Sequence, residues 1–270
     1  ENSVRRPNIL LFLVDDMGWH DTSLPFWRFK TLFNKHFRTP NMERLAGQGV
    51  KFTHAHSHPV CSPTRTSIMT GWHPARHHVT NWTFNPNRDT SGNWGPLAAP
   101  PKWRMEGIQP GTVTLPGLLR KAGYRTIHCG KAHWGAEGTP GEDPCALGFD
   151  VNIGGHAAGA PASYQSEDGF GNNLGPEKAG WAVPGLDEYH RSGTHLTDAL
   201  TEKAKAALTE AAGMNKPFYL YMAHYAVHTP IQPHKRFMAD YEERSYPETT
   251  KDIPAVEERY ASMIEGMDAS

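Results

Sequence analysis

At 270 residues the chain is long enough to bury a sizeable core as one large domain. A formal net charge of -1, from 27 Lys and Arg against 28 Asp and Glu, provides no basic stripe, which excludes a nucleic-acid partner on electrostatic grounds and leaves any anionic ligand to a local site. Mean hydropathy is -0.60 and the longest apolar run, Ile9 to Val14, is far short of the roughly 20 residues of a membrane helix, so no membrane association is expected.

Three cysteines, Cys61, Cys129 and Cys145, lack CxxC spacing and point to neither a structural zinc site nor a disulfide framework. A Cys129–Cys145 bridge is conceivable, but nothing in the spacing supports it. Along the chain, short apolar β-branched runs alternate with helical patterns, the signature of an α/β sheet with helices packed on its faces. Asn8 to Val14 reads as the first strand. Thr39 then reads as an N-cap with Pro40 in the first turn, of a helix that ends near Gly47 or Gly49. Ser62 to Thr70 and Thr114 to Ala122 are further helices, and Arg125 to Cys129 is a second strand. Leu196, Leu200, Ala204 and Leu208 recur every fourth position and predict one buried stripe on a helix that Gly213 ends. Phe218 to Ala223 is a third strand, and Pro254 opens a last helix toward Met267. Asn81 to Pro110 and Gly154 to Gly185 are rich in Gly, Pro and Asn without periodicity, so they read as long loops that shape a site.

Four short segments carry chemistry. Asp15 and Asp16 close the first strand, where open α/β sheets place their ligands, and two adjacent carboxylates call for a hard dication such as calcium or magnesium, or else form a solvated turn or N-cap. Cys61-Ser-Pro-Thr-Arg65 sets a thiol just ahead of a helix, with an arginine four residues on and on the same face. Pro63 suits the first turn, whose free N–H groups favour an anion. The ordinary alternative is an inert buried cysteine near a surface arginine. Lys131 and His133 follow the second strand directly and point to one side if the chain stays extended. Taken singly they read as an exposed lysine and a structural histidine. His228 closes the third strand and can donate to a sulfate oxygen or protonate a leaving alkoxide, while His224, four residues earlier, makes a zinc pair thinkable but without a third ligand.

Asp15-Asp16, CSPTR at Cys61, GKAH at Lys131 and HTP at His228, in that order, resemble the type I sulfatases of the alkaline-phosphatase-like superfamily. The match runs along almost the whole chain, and GYRTIHCGKAHWG and PFYLYMAHYAVHTPI are similar to bacterial polysaccharide and glycan sulfatases in particular. The resemblance implies an alkaline-phosphatase-like mixed sheet sandwiched between helices, and oxidation of Cys61 to formylglycine by a formylglycine-generating or anaerobic maturation enzyme. One oxygen of the hydrated aldehyde attacks sulfur and the alcohol departs. The other hydroxyl then expels sulfate by re-forming the carbonyl. By the same resemblance, Asp15, Asp16 and the modified Cys61 hold calcium (magnesium less favoured), and Arg65 supports the diol and the metal site. Lys131 binds sulfate oxygens, His133 assists sulfate expulsion, and His228 binds substrate and protonates the leaving group.

The expected substrate is a sulfated carbohydrate, to which Trp82, Trp94, Trp103 and Trp181 could offer flat faces in place of their commoner role in the core. Family likeness also implies a periplasmic or secreted location. The chain ends at Ser270 before any Asp-Asn-Gly segment, so residues 1–270 are expected to be an N-terminal catalytic domain without the last metal ligands and the small C-terminal subdomain. A phosphonate or phosphate ester hydrolase of the same superfamily and a non-catalytic sulfated-glycan-binding protein remain open as alternatives. A zinc hydrolase lacks any HExxH-like spacing among the 16 histidines.

Overall fold

A computed structural model describes residues 6–92, 103–242 and 258–270. The strands β1 (Ile9–Leu13), β2 (Arg125–Gly130), β3 (Val151–Ile153) and β4 (Phe218–Ala223) form one sheet in the order β1-β4-β2-β3, and every described pairing is parallel. Parallel neighbours need crossovers, and among the described residues the chain has eight α-helices, six before β4 and two after it. These are α1 (Leu32–His36), α2 (Pro40–Gln48), α3 (Cys61–Thr70), α4 (Pro74–His77), α5 (Leu115–Lys121), α6 (Leu196–Gly213), α7 (Lys235–Glu242) and α8 (Glu258–Ala269).

β4 pairs on both sides and is covered on both faces, which is why FYLYMA is apolar without alternation. Leu220 and Met222 join a core with the α6 residues Leu196, Leu200 and Ala204 and with Met263, Ile264 and Met267 of α8. Tyr219, Tyr221 and Ala223 face the other core, with Trp134, Phe149 and Met69. The period of two along a strand thus feeds two separate cores.

The expected elements are present with small shifts at their ends. β3, three residues long, is too short for any pattern to announce it. α3 starts at Cys61 itself rather than at Ser62, and Gly213 is the last residue of α6 rather than its stop. Pro254, expected to open the last helix, lies outside the described residues, as does Trp94. Thr39 precedes α2 but makes no side-chain cap; its hydroxyl bonds Thr22 and the Ser23 amide instead. The cap comes from the far end of the chain, where the Asp268 carboxylate accepts from the Asn41 amide at 2.9 Å and the Met42 amide at 2.8 Å. Cys129 and Cys145 are both free, the first buried with its thiol on the Leu200 carbonyl and the second exposed, so the conceivable bridge is not formed.

Several histidines are buried and neutral. Burial lowers His128 to about 4 despite its bond to Asn152, lowers His224 to about 4, and, with His234 adding to it, lowers His195 to about 3. A base depressed in the fold stays neutral there while the unfolded chain takes up protons below about pH 6.5. Stability is therefore expected to be greatest above pH 6.5 and to fall toward pH 4, by roughly 1–2 kcal/mol per such histidine at pH 5. Denaturant titrations at pH 7.5, 6 and 5 check this, and a flat profile would mean that these rings are solvated.

Candidate active site

The neighbouring parallel strands β1, β4 and β2 end on one side of the sheet, and the chain beyond them is stitched together. The His224 amide bonds the Leu13 carbonyl, Lys131 N bonds the Ala223 carbonyl, and Asp15 pairs through its amide with Ala226 and through its carbonyl with Val227. Gly130 makes the close passage possible. Its φ is +102°, and a Cβ there would stand 1.9 Å from the Ala223 carbonyl oxygen. Asp15, Asp16, Lys131, His133 and His228 are delivered from these strand ends to one region, and α3 brings Cys61 and Arg65 to it.

At its centre the buried Asp15 carboxylate meets two cations, with Arg65 Nη2 at 2.9 Å from Oδ1 and Lys131 Nζ at 2.5 Å from Oδ2. Burial alone would raise this carboxyl, but Lys131 and then Arg65 outweigh it and bring it from 3.8 to about 2. The other end of the Arg65 fork donates to the Lys131 carbonyl at 2.9 Å, so the guanidinium ties α3 to the segment after β2. Lys131 is fully buried, which sets aside the reading of an ordinary exposed lysine.

Cys61 is half-buried, and the ligand atoms of Asp15, Cys61 and His228 lie within 4.8 Å of one another. Burial pushes its thiol up, Lys131 pulls it down, and Asp15 and Asp16 push it up again. Asp16 is exposed, has a left-handed backbone (φ 57°), and sets Oδ2 3.5 Å from His228 Nε2. His228 Nδ1 lies 2.8 Å from the Thr229 carbonyl. A carbonyl can only accept, so Nδ1 carries a proton and Nε2 is the ring nitrogen that faces Asp16. Tyr164, which the sequence did not mark, holds this loop: its hydroxyl lies 2.7 Å from the Tyr225 carbonyl and 2.9 Å from that of His228.

His133 reaches the region by a different path from the one the sequence suggested. The chain is not extended there, because His133 has φ 56°. Its ring is buried, and burial, Lys131 and Arg65 hold it well below 6.5, hence neutral. Nδ1 is buried without a hydrogen-bond partner among the described residues, an arrangement that a bound polar group would satisfy. Gly159 lies against this ring: a Cβ there would be 2.3 Å from Cε1. No motif marks Gly159, since its role exists only once the long loop packs on His133. Gly159→Ala is expected to push the imidazole aside and lower kcat about 10- to 100-fold with a small change in KM, as measured on 4-nitrophenyl sulfate. An unchanged kcat would show that the ring has room to shift.

A cleft of about 210 Å³ opens here, lined by Asp15, Asp16, Ser57, His58, Cys61 and Thr64 among others. As it stands, the Asp15, Cys61 and His228 group is a mixed oxygen, sulfur and nitrogen donor set. An oxygen in place of sulfur at position 61 would move this group toward the oxygen-rich set that a hard dication takes. His224 is not part of the group. It is buried with Nε2 on the Ser270 hydroxyl at 2.8 Å, so the zinc pair with His228 does not form. Trp103 is buried with its indole N–H on Asp89, which removes it as a flat platform, and the half-buried Trp181 packs against Phe84.

The sulfatase family model matches residues 7–270. The chain is 28% identical over 271 residues to N-acetylgalactosamine-6-sulfatase of Mus musculus, covering 98% of this chain and 48% of that protein. It is 27% identical over 294 residues to a sulfatase of Formosa agariphila, covering 98% and 51%. The crystal structure of Ps i-CgsB in complex with k-i-k-neocarrahexaose superposes with a TM-score of 0.69 at 27% identity, covering 98% of this chain and 53% of that one. The chain thus spans about half the length of the curated relatives it matches. With a site of this composition at the strand ends and a family match along nearly its whole length, the chain belongs to the sulfatase family.

Proposed function

We propose that residues 1–270 form the catalytic domain of an enzyme that hydrolyses sulfate esters of carbohydrates, with Cys61 converted to formylglycine and a calcium ion at Asp15, Asp16 and position 61. The observation that carries this reading is the meeting of Asp15, Cys61, Arg65, Lys131, His133 and His228 at one edge of the parallel sheet. The raised Cys61 thiol supports it too: an unmodified cysteine here stays protonated near neutral pH and is poorly suited to attack as a thiolate. A carbohydrate substrate is supported by the relatives named for N-acetylgalactosamine 6-sulfate hydrolysis and by the neocarrahexaose complex.

When bound, the ion, with magnesium the less favoured choice, would act as a Lewis acid toward the sulfate, and the hydrated aldehyde would provide a regenerable hydroxyl nucleophile. The chain's own residues do the rest. Lys131 offsets negative charge on the sulfate oxygens. His228, protonated at Nε2 beside Asp16, gives that proton to the departing sugar oxygen. His133, kept neutral by burial and by Lys131, accepts a hydroxyl proton from position 61 as sulfate leaves. Arg65 keeps Asp15 ionised and in place. A periplasmic or secreted location and a dedicated maturation enzyme complete the proposal.

Protein co-produced with a formylglycine-generating system should yield a Cys61 peptide about 18 Da lighter than the thiol form, the difference between CH2SH and CHO. A peptide that keeps the thiol mass, while a control sulfatase is converted, would turn the reading toward sulfate binding without catalysis.

A further inference from the structure

One wall of the cleft carries a histidine to which neither the motifs nor the proposed chemistry gives a role. His58 lines the cleft with Asp15, Asp16 and Cys61. Its backbone is fixed by its amide donating to Thr64 Oγ1 at 3.0 Å. Its ring ends a hydrogen-bonded row that begins at a backbone amide.

The Val79 amide donates to His77 Nδ1 at 3.0 Å. A proton on that nitrogen would oppose the amide, so the buried His77 ring carries its hydrogen on Nε2. Nε2 lies 3.0 Å from Ser67 Oγ and is therefore the donor of that bond. Ser67 Oγ also lies 3.1 Å from His58 Nε2 and, having accepted from His77, keeps its own hydrogen to give there. With the bond run in that direction, His58 Nε2 accepts and the ring's hydrogen sits on Nδ1. Among the described residues, no hydrogen bond to His58 Nδ1 is formed. Run in that direction, the row from the Val79 amide leaves one N–H on a residue of the cleft wall.

We propose that His58 is a specificity-determining residue whose Nδ1–H donates to a hydroxyl or ether oxygen of the sugar bearing the sulfate, and that Ser67 and His77 are positioning residues that fix this tautomer. A fixed donor discriminates by requiring an acceptor in the ligand, since an analogue without one leaves the polar group unpaired. The sugar assignment rests on the sulfatase reading above; the tautomer does not.

Two measurements on the full chain test this. Long-range 1H–15N correlation of the histidine rings is expected to show His58 protonated at Nδ1, with that preference lost in Ser67→Ala. Protonation at Nε2, or a signature unmoved by Ser67→Ala, would overturn the relay. Kinetics of the matured enzyme would then compare sugar sulfates, N-acetylgalactosamine 6-sulfate and glucosamine 2-N,6-O-disulfate, with 4-nitrophenyl sulfate, whose leaving group lacks sugar oxygens. His58→Ala is expected to raise KM about tenfold on the sugar sulfate turned over, with a clearly smaller effect on the aryl ester. His58→Asn, which keeps an N–H near the Nδ1 position, should recover most of that loss, whereas His58→Gln should not. Equal losses on both substrate types would overturn the sugar contact and place His58 at the sulfate. Absence of turnover on every ester by the matured wild type would overturn the sulfatase reading itself, with the relay still judged by its tautomer.

Discussion

Replacing Cys61 with alanine is expected to lower kcat/KM for sulfate esters by about 10^4-fold or more while leaving the fold in place. The two halves of this expectation have different causes. Position 61 is the first residue of α3 and only half-buried, so trading a thiol for a methyl removes little packing. A change below about 1 kcal/mol is expected in denaturant unfolding. The catalytic loss is large because no neighbour can replace the nucleophile. Asp15 is engaged with Arg65 and Lys131, His133 is buried and neutral, and Asp16 lies on the His228 side. Kinetics on 4-nitrophenyl sulfate with matured protein check this. Residual activity within tenfold of wild type would remove Cys61 from the chemistry and leave a different nucleophile to be found.

The second large effect concerns Arg65. It is 2% exposed, and its guanidinium donates at 2.9 Å both to Asp15 and to the Lys131 carbonyl. Arg65→Ala removes both donors and opens a cavity among buried groups, leaving Lys131 as the ion-pair partner of Asp15 among the described residues. A loss of about 3–5 kcal/mol is expected, the range for breaking one partner of a buried ion pair. Arg65→Lys should recover only part of it, because a single ammonium does not reproduce two N–H groups in fixed fork geometry. Activity should fall with stability in both variants, since the same bonds orient Asp15. Chemical denaturation with unchanged m-values is the measurement. A loss below about 1 kcal/mol would mean that Asp15 and Lys131 hold their places without the arginine.

Much of the fold was legible because its strongest signals are local. The four-residue recurrence from Leu196 gave α6, and the continuous apolar run Phe218 to Ala223 became the central strand β4. Motif order likewise put Asp15, Cys61, Arg65, Lys131, His133 and His228 in view. Other features had no local signal. The cap of α2 comes from Asp268, 227 residues after Asn41. The assumption of an extended chain failed at His133, where the backbone turns left-handed and Gly159 packs against the ring. The tryptophans of the long loops resembled platforms, yet Trp103 is buried against Asp89.

The amino-acid sequence by itself determined the α/β class, the main strands and helices, and the residue types available for chemistry, because propensity, periodicity and motif spacing act over a few residues. Only the tertiary structure decided which charges meet. Asp15 is held near 2 by Lys131 and Arg65, which lie 116 and 50 positions away in the chain. Burial keeps His133 neutral, and packing brings the Val79 amide, His77, Ser67 and His58 into one hydrogen-bonded row. Burial and through-space charge depend on packing between distant segments, which no local pattern encodes.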